Sequence, residues 1–98
     1  MVSEKAWQGQ VVELARMLGW RHFHAFDSRR SPSGYPDLTL VRDRVVWVEL
    51  KSESGKPSAA QRSWLDALEA AGAEVYLWKP SDLEEVGRVL SRREAETQ

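Results

Sequence analysis

Ninety-eight residues of ordinary globular composition, 42% apolar and 30% charged, suffice for one domain with a modest core. The chain has no cysteine, which excludes disulfides and thiolate metal sites. A formal net charge of −1 argues against a passive nucleic-acid-binding module, whose affinity comes mainly from a basic excess, but not against an enzyme whose carboxylates hold metal ions. No apolar run nears the roughly 18 residues of a membrane span. Met1-Val2-Ser3-Glu4-Lys5 lacks the basic-then-apolar pattern of a signal peptide. The expectation is a soluble, cytoplasmic protein with no membrane partner.

The spacing of Trp7, Val11, Leu14, Ala15 and Leu18 predicts an amphipathic helix over 4–18, with Ser3 as N-cap and Gly19 as its stop. A strand follows over 21–26, then a loop over 27–34. Two apolar runs, 36–42 and 44–51, separated by Arg42-Asp43-Arg44, predict a β-hairpin. After a loop over 52–57, a second helix spans 58–71, with Gln61, Trp64, Leu65, Leu68 and Ala71 on one face. A strand over 74–79 and a helix over 81–92 complete the chain. Ser81 and Glu84 would form a capping box for that last helix, and residues 93–98 read as a frayed tail. The order αβββαβα is that of a single α/β domain spanning 1–98, a central sheet flanked by helices.

Alternation along the hairpin assigns the candidate chemistry. With a three-residue turn, Val41 pairs with Val45, Thr39 with Trp47, and Asp37 stands opposite Glu49. Opposed carboxylates about 5 Å apart repel, and a divalent Mg²⁺ or Mn²⁺, which prefers oxygen ligands, would relieve them. Lys51 shares the face of Glu49 and is placed to stabilise charge developing on a phosphate. The alternative is an exposed Glu49–Lys51 pair with Asp37 merely following a proline in a turn. Glu4 falls inside the apolar stripe of the first helix, either as a dipole-favoured first-turn acid or as a site residue. Gln61 reads as a capping residue of Ser58-Ala59-Ala60-Gln61 or as a site amide.

Gly34-Tyr35-Pro36-Asp37, Val48-Glu49-Leu50-Lys51 and Pro57-Ser58-Ala59-Ala60-Gln61, followed by Trp64-Leu65 and Leu68, resemble the VRR-NUC family of the PD-(D/E)xK nuclease superfamily. Glu4, Gly19-Trp20 and Ala71-Gly72-Ala73-Glu74-Val75 extend the likeness over nearly the whole chain, and the length resembles the stand-alone members of phages and bacteria. The resemblance implies a restriction-endonuclease-like fold with a mixed sheet. It implies an Mg²⁺- or Mn²⁺-dependent endonuclease with Asp37 and Glu49 as metal ligands, completed by the Leu50 main-chain carbonyl and by Glu4 through water. Lys51 is similar to the catalytic lysine, and Gln61 to the helix glutamine of the site. Small members resemble Holliday-junction resolvases, which implies branched or four-way-junction DNA and a homodimer. Among the remaining residues, Arg29, Arg30, Lys56 and Arg62 are candidates for phosphate contacts, and Tyr35 for stacking or packing. Trp20 or Trp78 could lie in a dimer interface. His22 and His24 alternate on the first strand but lack a third ligand for zinc. A non-catalytic nucleic-acid-binding or protein-interaction module on the same scaffold is the alternative function.

Overall fold

A computed structural model describes residues 2–24 and 33–94. The helix expected first is α1, Glu4–Met17: Ser3 Oγ accepts from the Ala6 amide at 3.0 Å, and Gly19, at φ +91°, ends it. Trp7, Val11 and Ala15 recur every fourth residue and are its buried face. Then come β1 (Arg21–His24), β2 (Leu38–Val41), β3 (Val45–Leu50), α2 (Ala59–Ala70), β4 (Glu74–Trp78) and α3 (Leu83–Ser91). The expected order αβββαβα is observed. Ala25-Phe26, the loop residues 27–32 with Arg29 and Arg30, and the tail residues 95–98 lie outside the described residues.

The four strands form one mixed sheet in the order β1-β2-β3-β4, with β1–β2 and β2–β3 antiparallel and β3–β4 parallel. Val41 pairs with Val45 and Thr39 with Trp47, as the three-residue turn requires. Leu38, Leu40, Val46, Val48 and Leu50 point to one face, where they bury against Trp7, Val11 and Ala15 of α1 and Val86, Val89 and Leu90 of α3. α2 packs on β4, and its Leu65 is buried there. The opposite faces of β3 thus meet different layers, and the odd-numbered residues look toward the α2 side.

The turn residues Arg42 and Arg44 turn out to be structural. Arg42 donates to the carbonyls of Leu18, Leu90 and Arg92 at 3.0, 2.9 and 2.6 Å, closing the C-terminal ends of α1 and α3 where helix carbonyls lack partners. Arg44 donates to Glu74 at 2.7 Å and to the Val89 and Arg92 carbonyls at 2.9 and 2.8 Å. Both guanidiniums lie over the Trp20 ring, 4.5 and 5.1 Å from its centroid.

Two expectations need correction. The Ser81–Glu84 capping box is absent: Pro80–Asp82 form a 3-10 turn, and α3 begins only at Leu83. Proline favours a tight first turn, and Ser81 instead donates its amide and hydroxyl to Glu53 at 2.9 and 2.8 Å. Of the tail 93–98, only the first two residues are described, and there the Glu94 amide donates to Asp43. Trp20 and Trp78 are core residues, 3% and 1% exposed. Their indole N–H groups donate to the Leu90 carbonyl and to Glu85, so neither is available to a partner chain.

Candidate active site

The site lies at the end of the β2–β3 hairpin remote from its turn. β2 starts at Leu38, so Asp37 stands one residue outside the ladder instead of pairing with Glu49 by backbone. Its carboxylate replaces the missing pair, with Oδ2 accepting from the Leu50 amide at 2.9 Å. That bond keeps Asp37 beside Glu49 and anchors it on the Leu50 main chain.

Glu49 is the one buried charged residue among those described, 1% exposed. Gln61 Nε2 donates to its Oε2 at 3.0 Å, and Lys51 Nζ lies 3.7 Å from the same oxygen. Oε1 is buried and accepts from no donor among the described residues. Burial pushes the Glu49 carboxyl up to about 8; Asp37 adds to this by its charge and by accepting the proton of the neutral acid, and Glu4 by its charge alone, against the opposing Lys51. Lys51 is held from both sides: its amide donates to the Trp78 carbonyl at 3.1 Å, and its side chain is only 14% exposed.

Gln61 answers both readings of its role at once. Its Oε1 accepts from the Ser58 amide at 2.8 Å while Ser58 Oγ accepts from the Gln61 amide, a complete capping box. Its remaining amide group is then free to donate to Glu49. Glutamine is required for this pair of bonds, since glutamate could cap but could not donate to a carboxylate.

Gly34 was not assigned a role by sequence, yet it sets the approach of Asp37. At φ +89° it occupies backbone space that favours glycine, and a Cβ there would lie 2.5 Å from the Ala60 carbonyl carbon and 2.7 Å from the Gln61 nitrogen. The Gly34–Asp37 segment therefore rests directly on the first turn of α2. Glycine immediately before Tyr-Pro-Asp was the available signal. Tyr35 braces the same segment: its hydroxyl accepts from Trp47 Nε1 at 3.0 Å, and its ring meets Trp64 edge-on at 5.1 Å. These contacts give Tyr35 the packing role considered for it.

The other expected residues sit farther out. Glu4 is exposed in the first turn of α1 and is felt at Glu49 through its charge. Lys56 and Arg62 are exposed, and Arg62 lies 3.9 Å from Asp66 on its own helix. Among the described residues no group of three or more His, Asp or Glu side chains is gathered to hold an ion unaided. A cation here would rest on Asp37 and Glu49, completed by main-chain and water oxygens.

Asp37 and Glu49 flanked by Lys51 on an αβββαβα frame is the arrangement of the PD-(D/E)xK nucleases. Within that class, residues 3–81 match the VRR-NUC domain, and the chain belongs to this family of nuclease domains. Two solved structures agree. A protein described as a VRR_NUC domain superposes with a TM-score of 0.74 at 24% identity, covering 94% of this chain and 98% of that one. A VRR_NUC domain protein superposes with a TM-score of 0.73 at 18% identity, covering 91% and 85%. No curated protein matches the sequence. No helix among the described residues is long and apolar enough to cross a membrane.

Proposed function

We propose that the chain is an Mg²⁺- or Mn²⁺-dependent endonuclease that hydrolyses DNA phosphodiester bonds in branched substrates such as four-way junctions, working as a homodimer. The observation that carries this reading is the buried Glu49 carboxylate, with Oε1 unpartnered and a second carboxylate beside it. Burying an ionised acid is costly, a neighbouring like charge adds to the cost, and the single Lys51 ammonium cannot balance the two carboxylates of Asp37 and Glu49. A divalent cation held by Asp37, Glu49 and the Leu50 carbonyl, with Glu4 farther out, relieves both. The donor set fits such an ion, being all oxygen. When bound, it would supply Lewis acidity toward the phosphodiester and make water a nucleophile near neutral pH.

The chain's own residues do the remaining work. Gln61 fixes Glu49 through Oε2 and so leaves Oε1, which no described donor occupies, for an ion. Lys51 places a positive charge where negative charge develops on the phosphate, in a position largely shielded from water. Lys56 and Arg62, flanking the start of α2, hold the DNA backbone, as do Arg29 and Arg30. One chain carries one such site, and resolving a junction takes two cuts; a two-fold pair is the commonest way to supply both.

A cleavage panel of linear, flap and four-way-junction DNA with Mg²⁺ or Mn²⁺ tests the reading. Junction cutting should stop in EDTA and in Asp37→Ala and Glu49→Ala. Undiminished cutting in EDTA, or by Glu49→Ala, would sink it.

A further inference from the structure

The sheet face that carries Glu49 is only partly covered. α2 packs on it at β4, and the odd-numbered side chains of β1 and β2 continue the same face away from that helix. The strand register sets Phe23 beside Thr39 and Trp47 in one row, and Arg21 beside Val41 and Val45 in the next. We propose that this open part of the face receives the branch point of the DNA. Phe23 stacks there on a base face left bare where the duplex stack is interrupted. The proposal rests on the nuclease reading above and names how that site tells branched DNA from linear duplex.

Three observations carry it. The first is exposure. Phe23 is 64% exposed, and Val41 and Val45 on the same face are exposed as well. Large apolar side chains gathered on one face mark a binding surface, whereas scattered ones need no explanation. Trp47 in the row is already held by Tyr35 through its N–H, so the ring left open is Phe23. A flat ring suits a base, because every base has a π-face whatever its identity.

The second is charge. Arg21, Phe23, Thr39, Val41, Val45 and Trp47 include a guanidinium and no carboxylate, in a chain whose net charge is −1. Arg21 is exposed, and its guanidinium can meet a backbone phosphate beside the stacked base.

The third is position. The row of Phe23, Thr39 and Trp47 lies two residues, about 7 Å along the strands, from Asp37 on β2 and Glu49 on β3. A second protein chain seated on this row would crowd the carboxylates next to it. DNA bound at the carboxylates is instead the occupant that continues onto the row, and the cut then falls close to the branch.

The test is anisotropy with a fluorescein-labelled four-way junction and with a linear duplex of one arm's sequence, in Ca²⁺ to permit binding without turnover. Phe23→Ala should weaken junction binding about tenfold, the loss of one base stack, and leave duplex binding unchanged. Phe23→Trp should keep junction affinity. Phe23→Leu should lose it as Phe23→Ala does, since leucine is apolar but has no ring to stack. Junction affinity that is unchanged in Phe23→Ala, kept in Phe23→Leu, or lost equally on the duplex would overturn the platform. So would light scattering that gives a dimer for wild type and a monomer for Phe23→Ala, which would assign this face to a second copy. Should Phe23→Ala fail to fold, Phe23→Leu against Phe23→Trp decides. If wild type neither binds nor cuts DNA, the nuclease reading fails and the platform with it. If wild type cuts junctions while Phe23→Ala binds them as well as it does, only the platform fails.

Discussion

Glu49 concentrates the tension of the site in one side chain. Without metal, its carboxyl keeps a proton up to about pH 8 in the folded chain, whereas an exposed glutamate releases it near 4.5. Between those values the folded state binds more protons than the unfolded state. The stability this group contributes is therefore complete below about pH 4.5 and is lost as pH rises through 8. Melts in EDTA from pH 5 to 8.5 should show wild-type stability falling with pH, and Glu49→Gln should flatten the fall and melt higher at pH 8. A wild type indifferent to pH would contradict the burial argument. Gln61 gives a second residue-scale prediction, because its two bonds can be separated. Gln61→Ala keeps the Ser58 cap, which uses the Gln61 main-chain amide, but loses the bonds of its side chain to the Ser58 amide and to Glu49, at about 1 kcal/mol in denaturant melts. Gln61→Glu can still cap but sets a third acid against Glu49, and should lower cleavage by about 10–100-fold, the usual cost of losing a partner that orients a ligand. Full activity in Gln61→Glu would remove the amide from the site.

At the scale of elements, two contacts decide whether the hairpin presents its acids correctly. The Gly34 backbone lies against the first turn of α2, which joins the Asp37 segment to the helix that carries Gln61. Gly34→Ala combines a disfavoured φ with a backbone clash, and should cost about 2 kcal/mol or more while lowering activity at temperatures well below melting. Stability and activity both unchanged would show that this turn gives way freely. At the opposite end of the hairpin, Arg44 is 7% exposed at its side chain and bridges Glu74 and the end of α3. Its loss leaves the half-buried Glu74 and the last carbonyls of α3 with fewer donors, and Arg44→Ala should cost about 2 kcal/mol in urea unfolding. Because Arg44 is far from the carboxylates, kcat measured below the melting transition should be close to wild type. A large fall in kcat would mean that hairpin distortion reaches the site.

At the scale of the whole molecule, α1 and α3 cover one face of the sheet and α2 covers part of the other. Apolar side chains left outside include Met17, Phe23, Val41, Val45 and Leu83. The tryptophans considered for a dimer interface are instead spent on the core, each with its N–H satisfied by the chain itself. A two-fold pair must therefore form through other surface. Light scattering at micromolar concentration with junction DNA should give twice the single-chain protein mass; a single-chain mass with and without the junction would leave a nicking monomer.

Local pattern determined much of this protein. Apolar period placed the three helices and the hairpin to within a residue or two, because burial of one face dominates both kinds of element. A three-residue turn set the register, and with it the neighbours of Glu49, since strand pairing has a period of two. Family motifs pointed to Asp37, Glu49, Lys51 and Gln61, which the fold brings together. Sequence could not show that Asp37 leaves the ladder to bind the Leu50 amide, that Gln61 caps and donates at once, or that Gly34 lies on Ala60. It also could not show that Arg42 and Arg44 close helices far along the chain, or that Trp20 and Trp78 turn inward. Each of these depends on contacts between residues distant in sequence, where packing and hydrogen-bond satisfaction are decided only once the layers have met.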